Sequence, residues 1–404
     1  MPKVNPDILC WARETAGLTL EETSHKLGIR EARGVSSVER LAALETGKKE
    51  PTRPMLMKMA KRYRRPLLVF YMAEPPRKGN RGQDFRTLPE GYSETSNALV
   101  DTLIRNIQVR QSIIRSALED EEEAEPLSFV GSMNISDGVN SLVESIKETI
   151  NIDLGKFRSQ HSLEDAFKYL RSKVETAGVF VLLIGDLGSH HTAFDLEVFR
   201  GFALSDEVAP FIIINDRDSR AAWSFTLIHE LVHVWLGQTG ISGTNSEKDI
   251  EQFCNKVASE FLLPEADMVY LNLENVFDFE EMKTLISDFA NARNLSSSMV
   301  AYNLYLKGKI SKDSWLQLNS AYRSLWQEAR AKKRKKAREE KGGPTYYVVR
   351  KHRLGENLIA FVQRMMAGGT LTTSKASKVL GVAPKNVHKL FKTNIHAAKA
   401  GKIS

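Results

Sequence analysis

His229-Glu230-Leu231-Val232-His233 is the segment of this chain whose residue types and spacing best suit chemistry. On a helix, side chains at i and i+4 share one face, with Cβ atoms about 5–6 Å apart. Two imidazoles placed that way can reach one zinc ion at about 2.0–2.1 Å. Glu230 lies beside the first histidine, within range of a water on such a metal. Zinc lowers the pKa of that water, and a carboxylate can take the proton and pass it to a leaving amine. With nine histidines in the chain, residue frequency alone yields roughly 0.02 such patterns by chance. The surrounding WSFTLIHELVHVWL is apolar almost all round, so its helix is predicted to be buried. A glutamate and two histidines in a buried helix need partners, and a zinc ion supplies one.

A catalytic zinc takes three protein ligands and keeps one position open. Glu251, on the next predicted helix, is the first candidate for the third ligand, with Glu247 and Glu260 as alternatives. Asn255, one turn beyond Glu251, is placed to orient that carboxylate or a ligand histidine. His190 and His191 are neighbours in a glycine- and serine-bearing stretch, cannot easily share a metal, and read as loop residues.

These groups need a scaffold to position them. Val179–Ile184 reads as a buried strand, and Leu196–Leu204 and Pro210–Ile214 as two more, before the turn chemistry of 214–219. The motif helix is predicted over about Ser219–Leu236, with Gly237 suited to end it. A second helix is predicted over about Ser246–Leu263, and Pro264 cannot continue it. If Pro210–Ile214 is the sheet edge beside the metal, Ile212, Ile213 and Ile214 could receive an extended substrate segment as an added strand.

Upstream, residues 1–72 read as short helices. Leu20, Thr23, Leu27 and Ile29 share a face, Ser37 suits the cap of a helix over Val38–Thr46, and Met55–Arg64 forms another. Residues 73–92 are polar and rich in proline and glycine, a linker composition. Residues 94–175 look helical with breaks near 125–136 and 154–161. Further helices fill 278–337, Gly342-Gly343-Pro344 breaks the chain, and the last stretch carries two short helices around Gly381.

The chain has 404 residues, 42% hydrophobic and 26% charged, which is ordinary for globular proteins. No apolar run is long enough to cross a membrane, and the N-terminus lacks a secretory pattern. The two cysteines, Cys10 and Cys254, form no C-x-x-C pair, so a cytoplasmic, reducing setting is expected. Net charge is +7 and uneven, with KKRKKAR at 332–338 and EDEEE at 119–123. A modest basic excess permits nucleic-acid contact without requiring it. Both runs also suit solvated helix faces.

The stretch SFTLIHELVHVWLGQTGIS, followed by IEQFCNKVASEFLLP, resembles the ImmA/IrrE family of metallopeptidases. A following helix in that family reads E-x-x-x-N-x-x-A-x-x-L-L-x-P, which Glu251, Asn255, Ala258, Leu262 and Pro264 match. FRGFALSD, PFIIIN and the upstream RRPLLVFYMAEPP also look like that family. The resemblance implies zinc as cofactor, His229, His233 and Glu251 as ligands, and Glu230 as catalytic base. It also implies restricted cleavage of helix-turn-helix repressors in stress or mobile-element responses.

The N-terminal LTLEETSHKLGI…SSVERLAALETGKKEPTRPMLMKMAKRY is similar to Xre/Cro helix-turn-helix domains. The resemblance makes Leu20–Gly28 the first helix of the motif and Val38–Thr46 the reading helix, with Arg40 its basic group. The connection Ile29–Ser36 is longer than usual for that motif. Lys48, Lys49 and Arg53, with Arg30 and Arg33, suit phosphate contacts.

The expectation is therefore a multidomain, mainly α protein. An N-terminal helix-turn-helix bundle (1–72) and a linker (73–92) precede a zincin-like, thermolysin-type α+β peptidase domain with a small sheet (93–340). A C-terminal helical tail (341–404) contains a helix-turn-helix-like segment. The expected activity is zinc-dependent, site-specific endopeptidase cleavage of a partner repressor or antitoxin. The alternative is a DNA-binding repressor or antitoxin whose peptidase-like domain mainly binds a partner. DNA is the second candidate partner, no membrane partner is expected, and self-association stays open.

Overall fold

The computed structural model describes residues 4–76, 94–189, 192–238, 245–273, 276, 278–339 and 345–392. His190, His191, most of the predicted linker and the Glu247 side chain lie outside the described residues. The chain divides into two compact units, Met1–Ile107 with Leu187–Phe194, and Gln108–Asp186 with Asp195–Ser404.

The first unit begins with α1 (Pro6–Glu14), α2 (Leu20–Leu27), α3 (Ser37–Glu45) and α4 (Arg53–Tyr63), then a 3-10 turn over Leu67–Tyr71. Local chemistry sets these boundaries. Thr19 and Glu22 form a capping box at the start of α2, and Gly28 ends it in the left-handed region at φ 70°. The sequence predicts Ser37 as the cap of α3, but the structure uses Ser36. Its hydroxyl accepts the Glu39 N–H at 3.2 Å, and the Glu39 carboxylate accepts the Ser36 N–H at 2.9 Å. Between α2 and α3, Ala32 and Val35 exchange backbone hydrogen bonds around Arg33 and Gly34, both at positive φ. The extra length of this connection is folded into a tight turn. Ile8, Leu9, Leu27, Leu41, Leu56, Tyr63 and Phe70 close the core, and Arg13 Nε donates to Glu45 at 2.9 Å to tie α1 to α3. α5 (Glu94–Asp120) follows in sequence.

The second unit continues with α6 (Val139–Ile150), α7 (Leu154–Arg158) and α8 (Leu163–Thr176). Strands β1 (Phe180–Leu183), β2 (Gly201–Leu204) and β3 (Phe211–Ile214) come next. After them run α9 (Arg220–Trp235), α10 (Asn245–Leu262), α11 (Phe279–Asn291), α12 (Ser297–Leu306) and α13 (Lys312–Glu339). The last helices are α14 (Tyr346–Leu354), α15 (Glu356–Ala367), α16 (Thr373–Leu380) and α17 (Val387–Lys392).

The three strands are ordered β1-β3-β2, with β1 parallel and β2 antiparallel to β3. The order corrects two expectations. Leu196–Phe199 is not part of a strand, because the chain turns there and Val198 N–H bonds Asp195 O at 3.1 Å. More consequentially, β3 is the central strand. Ile212 pairs with Val181 on one side and Ala203 on the other, and Ile213 and Ile214 are likewise flanked by Leu182 with Phe202 and by Leu183 with Gly201. Its backbone hydrogen bonds are committed to both neighbours, so Ile212, Ile213 and Ile214 cannot receive a further strand. The sequence signal misled because an all-apolar run marks burial, and a central strand is the more buried kind.

The C-terminal helices belong to this second unit. Arg171 on α8 donates to Glu175 at 2.9 Å, to the carbonyl of His352 on α14 at 2.7 Å, and to the carbonyl of Val181 on β1. Arg353 on α14 reaches Asp216 at 2.6 Å and Asp186 at 3.0 Å. Two buried or half-buried guanidiniums thus fasten α14 to the sheet and to the turn that precedes α9.

Candidate metal centre

α9 is the element on which the site depends, and the sequence around it explains its placement. Asn215, fully buried after β3, donates to Phe199 O at 3.1 Å and accepts the Arg217 N–H at 3.1 Å. That side-chain turn redirects the chain into the helix. Ser219 caps α9 by accepting the Ala222 N–H at 3.3 Å. At the other end the helix would leave carbonyls unsatisfied. Gly131 N–H takes Val234 O at 3.0 Å and Met133 N–H takes Trp235 O at 3.2 Å. Gly237, at φ 65°, runs so close to Gly131 that a Cβ there would sit 3.0 Å from Gly131 Cα. Trp235 stacks on Phe129 at 4.3 Å and donates to Ser145 at 3.0 Å.

So anchored, α9 buries Leu227, Ile228, Leu231, Val232 and Val234 and turns its polar residues to α10 and β2. His229 Nε2 lies 3.2 Å and His233 Nε2 3.0 Å from the two oxygens of Glu251 on α10. One ligand atom from each of the three side chains lies within 4.8 Å of the others. The imidazole rings are 5.2 Å apart. Two ring nitrogens and a carboxylate converging on one point form a donor set suited to a metal ion. Among the described residues this is the single cluster of histidine, cysteine and acidic groups so arranged.

The electrostatics of the cluster favour positive charge at its centre. Burial opposes ionisation of Glu251, but hydrogen bonds from His229 and His233 outweigh it and hold the carboxyl well below the usual carboxylate range. Burial likewise works against charge on His233, yet its hydrogen bonds with Cys254 and Glu251 raise it well above the ordinary imidazole value. The residues present therefore fit a divalent cation in both ligand chemistry and charge.

Glu230 is buried beside the cluster, and burial pushes its carboxyl up to about 7, with the two imidazoles pulling the other way. Its carboxylate lies against the first residue of β2. A Cβ on Gly201 would stand 2.8 Å from Glu230 Oε1 and 2.6 Å from Thr226 Cγ2. Gly201 is a site residue the sequence reading did not single out. The available signal was a glycine opening a strand, which often marks close backbone approach.

The remaining sequence candidates are dispersed. Asn255 is half-buried on α10, and the side chain that meets His233 is the neighbouring Cys254, whose sulfur lies 3.9 Å from Nδ1. Glu260 is engaged elsewhere, accepting the Glu265 N–H at 3.1 Å. In the first unit, Arg40 donates to the carbonyl of Arg30 and so braces the α2–α3 connection. Lys48, Lys49 and Arg53 are exposed, as are Arg30 and Arg33.

Residues 182–305 match the model of the peptidase M78 family, described as the IrrE N-terminal-like domain. The matched segment holds His229, Glu230, His233 and Glu251, and supports a metallopeptidase-type enzyme of the ImmA/IrrE kind. No curated protein and no solved structure matches the chain. Among the described residues, no helix is long and apolar enough to cross a membrane.

Proposed function

We propose that the chain is a zinc-dependent endopeptidase of the zincin type. The observation that carries this is the convergence of His229, His233 and Glu251 beside a buried Glu230. Zinc would be held by the two Nε2 atoms and the Glu251 carboxylate, supplying Lewis acidity toward a water and toward the scissile carbonyl. Glu230 accepts the proton of the attacking water and returns it to the nitrogen of the departing peptide fragment. Burial raises the basicity of Glu230, which suits a group that must first take and then give a proton near neutrality.

An extended substrate lies along β2 in this proposal. β2 stands at the end of the strand order and beside α9, and Gly201 brings its backbone against Glu230. Strand addition at the Gly201 end of β2 would carry a peptide bond past the carboxylate that must exchange protons with it, while at the other end the Leu204 carbonyl accepts from Gln111 at 3.2 Å. Such pairing reads backbone rather than sequence, so selectivity comes from a second contact, for which the first unit is the docking surface. The substrate class proposed is a partner helix-turn-helix repressor or antitoxin. The test is metal analysis and hydrolysis together. His229→Ala and Glu251→Ala should lose zinc, while Glu230→Gln should keep about one zinc per chain and lose hydrolysis, because an amide cannot accept the proton. A Glu230→Gln chain without metal, or with full activity, would contradict the assignment.

A second function is supported by the exposed cations Arg30, Arg33, Lys48, Lys49 and Arg53 around α3. The first unit would then be an Xre-type DNA-binding module that grips phosphates. Its DNA affinity should fall steeply with salt. Affinity indifferent to salt would leave protein docking as the role of this unit.

A further inference from the structure

Cys254 is a buried thiol that the proposed chemistry leaves without a task. It lies on α10, almost one turn after Glu251, and its Sγ is 3.9 Å from Nδ1 of His233, itself buried. The sulfur is not one of the converging ligand atoms, which come from His229, His233 and Glu251. Yet it lies beside Nδ1, the ring nitrogen whose protonation decides whether Nε2 of His233 can bind a metal. A neutral imidazole has a single ring proton. For Nε2 to offer its lone pair, that proton must sit on Nδ1. An N–H in a buried place needs an acceptor, and the sulfur is the atom positioned to be one. His229 has no such arrangement, since its Nδ1 is buried with no hydrogen-bond partner among the described residues.

We infer that Cys254 is a positioning residue for the metal centre. Its sulfur accepts the Nδ1–H of His233 and holds the imidazole in the tautomer and orientation that present Nε2 to the metal. The inference rests on the proposed metal site. It makes the two histidine ligands unequal: both meet Glu251 through Nε2, but among the described residues only His233 also has a partner at Nδ1. It also gives α10 two roles at once, a carboxylate ligand and, one turn on, the group that orients a ligand of the neighbouring helix.

Removing the sulfur should act on metal binding. Without an acceptor, the Nδ1–H tautomer carries an unsatisfied buried donor, and that tautomer is the one the metal requires. A serine keeps an acceptor, though its shorter bond reaches less far. The experiment titrates zinc into full-length wild type, Cys254→Ala and Cys254→Ser against a competing chromophoric chelator, at one pH. Thermal unfolding of the metal-free proteins runs beside it. Cys254→Ala is expected to bind zinc about tenfold more weakly than wild type, and Cys254→Ser to fall between them. In the zinc-loaded proteins, the His233 Nδ1–H resonance should shift and exchange faster in Cys254→Ala. Wild-type zinc affinity in Cys254→Ala would overturn the inference. So would an equal loss in both variants, which would assign the effect to sulfur volume. A wild-type chain that takes up no zinc would overturn the metal site itself, an outcome distinct from either.

Discussion

Glu230 illustrates how much one carboxylate depends on what it is pressed against. Its burial raises its basicity, and its room is made by a missing side chain at Gly201. Gly201→Ala should push the new Cβ into Glu230 and Thr226. The expected cost is about 1–3 kcal/mol of stability, read by urea denaturation. Hydrolysis should fall further than zinc occupancy, because Glu230 moves and the metal ligands stay. Unchanged kcat/KM in Gly201→Ala would mean that the carboxylate has slack the geometry does not show. The pH dependence follows from the same groups. In the proposed mechanism Glu230 must be ionised to act as base and the imidazoles of His229 and His233 must be neutral to hold metal, so protonation opposes activity at every one of them. Activity should therefore fall on acidification, as Glu230 and the imidazoles take up protons; burial lifts the Glu230 carboxyl and a bound cation would pull it down. In Glu230→Gln, zinc occupancy should still fall on acidification, since the ligand protonation is untouched. Occupancy independent of pH would exclude imidazole ligands.

At the scale of the element, α9 is placed by its ends as much as by its faces. Ser219 and Asn215 start it, and the backbone of Gly131 and Met133 finishes it. Ser219→Ala should cost about 0.5–2 kcal/mol, and Trp235→Ala, which empties the contact with Phe129, about 3–5 kcal/mol. Both are measured by chemical denaturation of the metal-free chain. If Trp235→Ala cost no more than Ser219→Ala, α9 would be held by its caps and not by its core face. The edges of α9 were legible in the sequence, because Ser219 and Gly237 are local signals that need no tertiary context. The strand order was not. Nothing in FIII says whether its hydrogen-bonding edges are shared with one neighbour or two. That is why Ile212–Ile214 reads as a substrate edge from sequence and stands at the centre of the sheet in the structure.

Across the whole molecule, two arrangements bear on function. The C-terminal helices are fastened to β1 and to the turn before α9 through Arg171 and Arg353. Arg171→Met would leave Glu175 buried without its partner. Breaking such a pair typically costs about 3–5 kcal/mol, so the second unit should unfold at lower denaturant. A loss below about 1 kcal/mol would show that Glu175 simply takes up a proton, consistent with burial already raising its carboxyl. The other arrangement is the division into two units. If the first unit docks the substrate, a linked second contact raises the partner's effective concentration at the metal. Deletion of residues 1–72 should then slow cleavage of the intact partner far more than cleavage of a short peptide spanning its cut site, at equal zinc occupancy. Equal slowing of both would remove the docking role, and rapid digestion of unrelated unfolded proteins would remove restricted cleavage altogether.

What the chain's sequence determined by itself was local. The spacing of His229, Glu230 and His233 follows from helix periodicity. The limits of α2 and α9 and the end of α10 follow from capping residues, glycine and proline, and the buried character of α9 from its run of apolar residues. Each of these depends on neighbours a few positions away. The tertiary structure decided which distant groups meet. It selected the Glu251 carboxylate to lie between the two imidazoles, set Cys254 beside His233, pressed Gly201 against Glu230, and gave β3 two partners. Those contacts depend on how α9, α10 and β2 pack side by side, and packing is a sum of many weak contacts that no single stretch of sequence contains.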